Sequence, residues 1–349
     1  MSAATTTMSP WDQAAADYSN LSATHTPAQR GDDDSELLID AIELVINCFL
    51  IHIIAAVGSA CNIITVLVLL KAGTSDTNTI ILLSLAVCDL VFLLTLMVRK
   101  MDCVIARFDP VSAVNYLAYM TVYVTAASRM AMLISSGHIV VISVERFIAV
   151  MFPFKAKTLC SRGRVLAVVL GQYVAMLISG GPILGYCTLE WSFDAKLNVT
   201  VATAQYSKFY LDHFDGLQFF NSIGLGIVRG SVSYLIVIIC CGAVVYRLRQ
   251  VSVQRLGMAA KPGRQVDVKV SRMLLAVCVV FVITNVATFA VFLYSYQTEE
   301  ANLISRLFYF LINIEEALFA LNSSANFFIY IFMSSKFYKT FWSLFSCAS

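Results

Sequence analysis

Charge is scarce in this chain: 13% of its 349 residues are Asp, Glu, Lys or Arg, against 59% that are hydrophobic. A soluble domain of that length needs far more charge on its surface, so a water-soluble globular fold is excluded. Histidine is scarce too, with 4 residues scattered along the chain. No metal-ligand or nucleophile–base spacing accompanies them, which leaves a membrane enzyme without its chemistry. Neither repeat symmetry nor paired Gly/Pro-broken helices, both expected of a secondary transporter, is visible. No obvious secretory leader is read in Met1 to Asp40, which is polar and rich in Thr, Ala and Asp. That stretch has too little apolar surface to offset the entropy of ordering, so residues 1–41 are expected to form a disordered extracellular tail. The first membrane helix is then expected to act as signal anchor. The net charge of +2 gives no reason to expect a nucleic-acid partner.

What the chain has instead is long apolar stretches. Each bilayer crossing takes about 20 mostly apolar residues, and seven stretches qualify, near 42–70, 78–98, 114–148, 165–187, 218–247, 269–295 and 304–332. The third is long enough that its outer end is either tilted or partly in water. Asp109-Pro110 marks a loop before it. The expected fold is an all-α membrane protein, a seven-helix bundle over residues 42–332 with a short amphipathic helix after the last span.

Charge distribution orients the bundle. Lys71, Lys155, Lys157, Arg162, Arg164, Arg247, Arg249, Arg255, Lys261, Arg264, Lys269, Arg272, Lys336 and Lys339 fall on one side when seven spans are counted. Asp32, Asp33, Asp34, Glu36, Asp40, Glu190, Asp194, Asp212, Asp215, Glu299 and Glu300 fall on the other. The positive-inside rule then puts the N-terminus outside and the C-terminus in the cytosol, as in a multi-pass plasma-membrane protein. The sequons at Asn20 and Asn198 lie outside in this arrangement, as glycosylation requires. A third, at Asn322, lies within the seventh span.

After that span, Phe337, Phe341, Trp342 and Phe345 recur at helical spacing beside Lys336 and Lys339. Residues 333–349 therefore suit an amphipathic helix on membrane lipids of the inner leaflet, with a short tail. Cys347 is either a palmitoylation site or a free thiol.

The third span ends in Ser143-Val144-Glu145-Arg146-Phe147. This resembles the acid–arginine–aromatic motif of rhodopsin-like (class A) G-protein-coupled receptors, and the resemblance runs from about Gly58 to about Trp342. Val144–Val150, Phe152–Lys157 and Leu321–Asn326 resemble invertebrate neuropeptide receptors and mollusc-type chemosensory receptors. The resemblance implies an allosteric sodium ion among Asn62, Asp89, Ser135, Asn322, Ser323 and Asn326; the alternative is a water cluster. No other cofactor is implied. It makes Glu145 and Arg146, with Phe281 and Tyr330, the activation switch. Asp267 is either the acid that latches Arg146 or merely solvated in a basic loop.

Departures from the family pattern matter as much. The seventh span has Asn326-Phe327 where Asn-Pro is usual. Asn285 and Ala287 stand in the usual Trp and Pro positions of the sixth, Ser233 and Cys241 replace Pro and Tyr in the fifth, and Gln172 replaces Trp in the fourth. The family's cysteine at the outer end of the third span aligns near Thr121 and is missing. Cys103 and Cys187 are the remaining outward-facing candidates for an alternative bridge.

Resemblance puts the ligand pocket at Ser128, Arg129, Arg229, Asn285, Glu315 and Glu316. Ser128 stands where amine receptors carry Asp, which argues against a biogenic amine. Arginines with glutamates suit a ligand bearing carboxylate and amino groups, such as a short peptide or an amino-acid-like cue. Alternatively, Arg129 or Arg229 pairs with Glu316 and braces the bundle. The expected function is ligand-driven activation of a heterotrimeric G protein, with a small-molecule chemosensory receptor or a non-signalling decoy as rivals.

Overall fold

The computed structural model describes residues 41–42, 44–73, 76–195, 197–220, 232–254, 272–285 and 301–346. Helices fill the apolar stretches within them. A π-helical turn, Val45–Leu50, leads into α1 (Ile51–Ala72), which stops at Gly73 with φ 83°, a conformation that costs glycine little. Then come α2 (Thr77–Arg99), the single turn α3 (Asp102–Ile105), α4 (Pro110–Tyr123) and α5 (Thr125–Met151). A short α6 (Pro153–Leu159) precedes α7 (Arg162–Gly180), and a two-stranded hairpin follows, β1 (Cys187–Asp194) and β2 (Val199–Tyr206). Short helices α8 (Lys208–Asp212) and α9 (Phe214–Phe219) lead toward α10 (Ser233–Gln254). The remaining helices are α11 (Arg272–Asn285), α12 (Ala301–Met333) and α13 (Ser335–Phe345).

Among the described residues, six helical segments are long and apolar enough to cross a bilayer, and α11 is a shorter apolar helix inside the expected sixth span. The third stretch is two helices rather than one. Val124, at φ −109° and ψ −33°, separates α4 from α5. The Thr125 hydroxyl bonds Met120 O at 3.2 Å beside the backbone bond from Val124 N, a side-chain competitor that bends helices. The expected break at Asp109-Pro110 is where α4 begins. Asp109 caps it, accepting from Val111 N at 3.0 Å and Ser112 Oγ at 2.6 Å, and these bonds hold its carboxyl below the usual range. Pro110 fits the first turn, where an amide hydrogen has no partner to lose.

The hairpin is the element that the hydropathy reading left out. Its strands pair antiparallel from Cys187↔Tyr206 to Asp194↔Val199. It packs on α4, whose Asn115 Oδ1 accepts from Ala202 N at 2.7 Å.

Helix packing is inverted relative to a soluble protein. Leu67, Leu70, Val87, Val91, Leu170, Val174, Leu177 and Ile239 face outward, while Asn62, Asp89, Ser135, His138, Asn322 and Ser323 are buried. Lipid accepts the first set at no cost, and the second set needs partners inside the bundle. α1 packs on α2 and α12, α2 on α5 and α7, and α5 on α10. The approach of α1 to α12 requires Gly58, because a Cβ there would stand 2.0 Å from Ser324 Oγ. One apolar core gathers Ile139, Ile142, Leu274, Val277, Phe281 and Tyr330 near α13; another gathers Ile51, Phe92, Leu96, Phe319 and Ala320.

α13 is helical as expected, capped by Ser334 Oγ, which accepts from Phe337 N at 3.2 Å. Phe337 turns inward against Phe327 and Tyr330, while Tyr338 and Trp342 stay half-exposed. Lys71 Nζ donates to Ser343 O at 2.7 Å, and Lys336 pairs with Asp76 at 2.8 Å.

Candidate functional site

Asp89, at the middle of α2, has no exposure at all. Its Oδ1 accepts from Ser135 Oγ at 2.6 Å and Ser323 Oγ at 3.1 Å, and its Oδ2 accepts from Asn326 Nδ2 at 2.8 Å. Asn62 joins through the backbone, its Nδ2 donating to Gly58 O at 2.9 Å and Ser323 O at 3.1 Å. Residues selected from four separate stretches of sequence are thus one cluster spanning α1, α2, α5 and α12. Asn322, next to Ser323 in the chain, is equally buried. Its amide, together with Asn62 Oδ1 and Tyr330 Oη, has no hydrogen-bond partner among the described residues. Buried polar atoms are normally partnered, so these carry unspent bonding capacity. One carboxylate with several neutral oxygens is chemistry suited to a hard cation or to bound water.

Arg146, near the end of α5, is 9% exposed. Two of its guanidinium nitrogens donate to the Glu145 carboxylate, and Nη2 also donates to Asn78 Oδ1 at 2.7 Å. The expected Glu145–Arg146 pair is present; Asn78, at the start of α2, is a partner that sequence reasoning missed. Asp267 lies outside the described residues. Nearby Cys160, between α6 and α7, has its thiol pushed up by burial and by Glu145, against the opposing pull of Arg146.

Phe281 is fully buried in α11. Tyr234, on α10, packs its ring against it with centroids 5.6 Å apart and donates its hydroxyl to Asn285 Oδ1 at 2.9 Å. Asn285 Nδ2 donates to Phe281 O at 2.7 Å. Asn285 is 4% exposed and engaged within the helix pair. Tyr234 went unnoticed in the sequence, where an aromatic residue in an apolar stretch carries no signal.

The end of the bundle nearest α3 is charged. Glu316 on α12 is gripped by Arg99, and Lys100 Nζ stands 3.2 Å from its other oxygen. Lys100 also donates to Asn313 Oδ1 at 2.6 Å. Arg129 approaches the neighbouring Glu315 at 4.0 Å, and Ser128 is buried beside it in sequence. For Arg129 the bracing alternative is corrected: it stands nearest Glu315, and among the described residues Arg99 and Lys100 pair with Glu316. Both stand at the end of an apolar run, where a terminal cation reads as an interfacial anchor. Arg229 lies outside the described residues.

The disulfide expectation is also corrected. Cys103 bonds Cys48, with Cα atoms 5.7 Å apart, and Cys187 is a free thiol pushed up by burial. Cys48 sits inside the first apolar stretch, where a cysteine reads as packing; the π-helical turn brings it level with α3. Asn198 sits exposed in the hairpin turn at φ 52°. Asn20 and Cys347 lie outside the described residues.

A further, partly buried chain of polar groups ties α2, α5 and α7. His138 Nε2 meets Ser84 Oγ at 2.7 Å, Ser84 meets Tyr173 Oη at 2.9 Å, and Tyr173 meets Cys88 Sγ at 2.9 Å. Gln172 donates to Ile134 O at 2.7 Å, an approach that needs Gly137, since a Cβ there would stand 2.0 Å from its amide nitrogen. A histidine inside an apolar span was the available signal for this chain.

The sequence matches the family described as 7 transmembrane receptor (rhodopsin family) over residues 61–330. It is also similar to growth hormone secretagogue receptor type 1 of Sus scrofa, 30% identical over 128 residues. That match covers 36% of this chain and 34% of the relative, so the chain aligns with about a third of that receptor's length.

Proposed function

Because this chain belongs to the rhodopsin family of seven-transmembrane receptors, we propose that it binds an extracellular peptide or amino-acid-like ligand and in response promotes nucleotide exchange on a heterotrimeric G protein. It is a receptor and not an enzyme. The proposed setting is the plasma membrane, with the N-terminus outside and the α13 end in the cytosol. The charged groups around Glu315 and Glu316 then face the ligand side, and Arg146 faces the G protein.

The observation that carries this reading is the state of Arg146. A buried guanidinium held by Glu145 and Asn78 can be released by a shift of α5 against α2, which is the kind of two-state element that a ligand biases. Asp89 and its partners sit in the same bundle. We assign them a sodium ion that favours the inactive arrangement, a role that the unspent oxygens of Asn62, Asn322 and Tyr330 support.

G-protein nucleotide exchange in cells expressing the chain and its Arg146→Ala variant tests the reading. Ligand-dependent exchange that vanishes in Arg146→Ala supports a signalling receptor. A non-signalling decoy is the second reading, favoured by the Tyr234–Asn285 tie where the family pattern has Trp. Surface-expressed protein that binds its ligand without exchange would select it.

A further inference from the structure

Two ionic groupings stand side by side on α12, and they differ in kind. Glu316 is locked: its side chain is 3% exposed, Lys100 is 7% and Arg99 15%, and Asn313 takes a further Lys100 proton. Glu315 is loose: it stands 4.0 Å from Arg129, with side chains 20% and 35% exposed. That separation exceeds the roughly 2.7–2.9 Å of a charge-assisted hydrogen bond. Among the described residues neither Arg129 nor Glu315 makes a hydrogen bond, so each keeps its bonding capacity while its charge is offset by the other.

We propose that Arg129 and Glu315 are an exchangeable pair that docks the head group of an α-amino acid, carboxylate on Arg129 and ammonium on Glu315, with Arg99, Lys100 and Glu316 as the fixed wall beside it. This rests on the reading that this end of the bundle receives the ligand.

Charge balance selects the ligand class. Among the described residues at this end, Arg99, Lys100 and Arg129 are matched by Asp102, Glu315 and Glu316. A simple anion that drew Arg129 away would leave Glu315 half-buried and uncompensated; a simple amine would strand Arg129. Breaking an ion pair from one side is the expensive way to open it. A zwitterion replaces both partners at once and leaves no stranded charge. The short gap between the two residues then fixes the span of the ligand. Opposite charges on one carbon fit it, whereas the separated ends of an extended peptide satisfy one residue at a time. Arg129 suits the carboxylate end, since its planar fork donates two parallel bonds.

Thermal unfolding of the purified full chain with millimolar L-amino acids, their N-acetyl forms and their carboxamides is the test. At least one free amino acid should raise the midpoint by about 4 °C or more. Capping either of its ends should weaken binding by about 100-fold. Arg129→Gln should stop distinguishing acid from carboxamide, and Glu315→Gln should stop distinguishing free from N-acetyl. Should either fail to fold, the paired swap Arg129→Glu with Glu315→Arg keeps the balance and should still require both ligand charges. Capped forms that match the free ones, variants that keep wild-type discrimination, or no stabilisation by any free amino acid would each overturn the proposal. Nucleotide exchange driven only by a doubly capped compound overturns it while leaving the receptor reading intact. Amino-acid binding without exchange does the reverse.

Discussion

The Tyr234 hydroxyl on α10 donates to Asn285 Oδ1 on α11 at 2.9 Å, joining the fifth and sixth spans one turn above Phe281. No proline interrupts α11 between Arg272 and Asn285, and this bond adds a polar tie to the apolar core that the two helices share through Val237, Val277 and Phe281.

Tyr234→Phe keeps the ring against Phe281 and removes only the hydroxyl. Asn285 Oδ1 is then buried without its partner, which costs about 1–3 kcal/mol. Basal nucleotide exchange at matched surface expression should rise severalfold as α11 loosens. A lowered unfolding temperature with unchanged exchange would show that the bond is structural only.

Asp89→Asn removes the one carboxylate of the central cluster. If the cluster holds sodium, raising sodium at constant ionic strength should weaken agonist potency in the native chain and leave the variant unaffected. Equal sodium sensitivity in both would place the ion elsewhere.

Glu316→Gln leaves Arg99 and Lys100 with an uncompensated buried charge, a loss of about 3–5 kcal/mol. Surface expression should fall sharply. Glu315→Gln strands Arg129 at a more exposed and wider pair, so it should lose clearly less surface expression than Glu316→Gln. Flow cytometry on an N-terminal tag distinguishes them, and equal expression of the two variants would contradict the locked and loose assignment.

Cys103→Ser and Cys48→Ser should lower stability alike, by about 2–4 kcal/mol, with no further loss in the double variant. Cys187→Ser should be silent. Mass mapping of the non-reduced protein checks the pairing directly.

The helical bundle was legible because lipid demands long apolar stretches, and the family because Glu145-Arg146 at a helix end is an expensive arrangement. Asp89 and its partners were legible for the same reason: a polar residue in an apolar span must meet another. What stayed hidden were partners with ordinary places in sequence. Asn78 stands at a helix start, Arg99 and Lys100 at a helix end, and Tyr234 alone in an aliphatic stretch. Cys48 looked like packing because its level relative to Cys103 depends on a π-helical turn that hydropathy does not register. The hairpin escaped because its residues are too polar for a span and too few for a domain.

The Cys48–Cys103 bridge also decides where the molecule can give. It clamps α1 and α2 together near Arg99, making those two spans a single strut. The hairpin has no such bolt among the described residues, where Cys187 is a free thiol. Its tie to α4 is the amide oxygen of Asn115 on Ala202, a bond that water can break and remake. Covalent stiffness thus lies along the spans that carry Lys100 and Asp89, while the hairpin beside them is held to α4 by non-covalent contacts alone among the described residues, so a force applied at this end deflects the hairpin before it bends the strut.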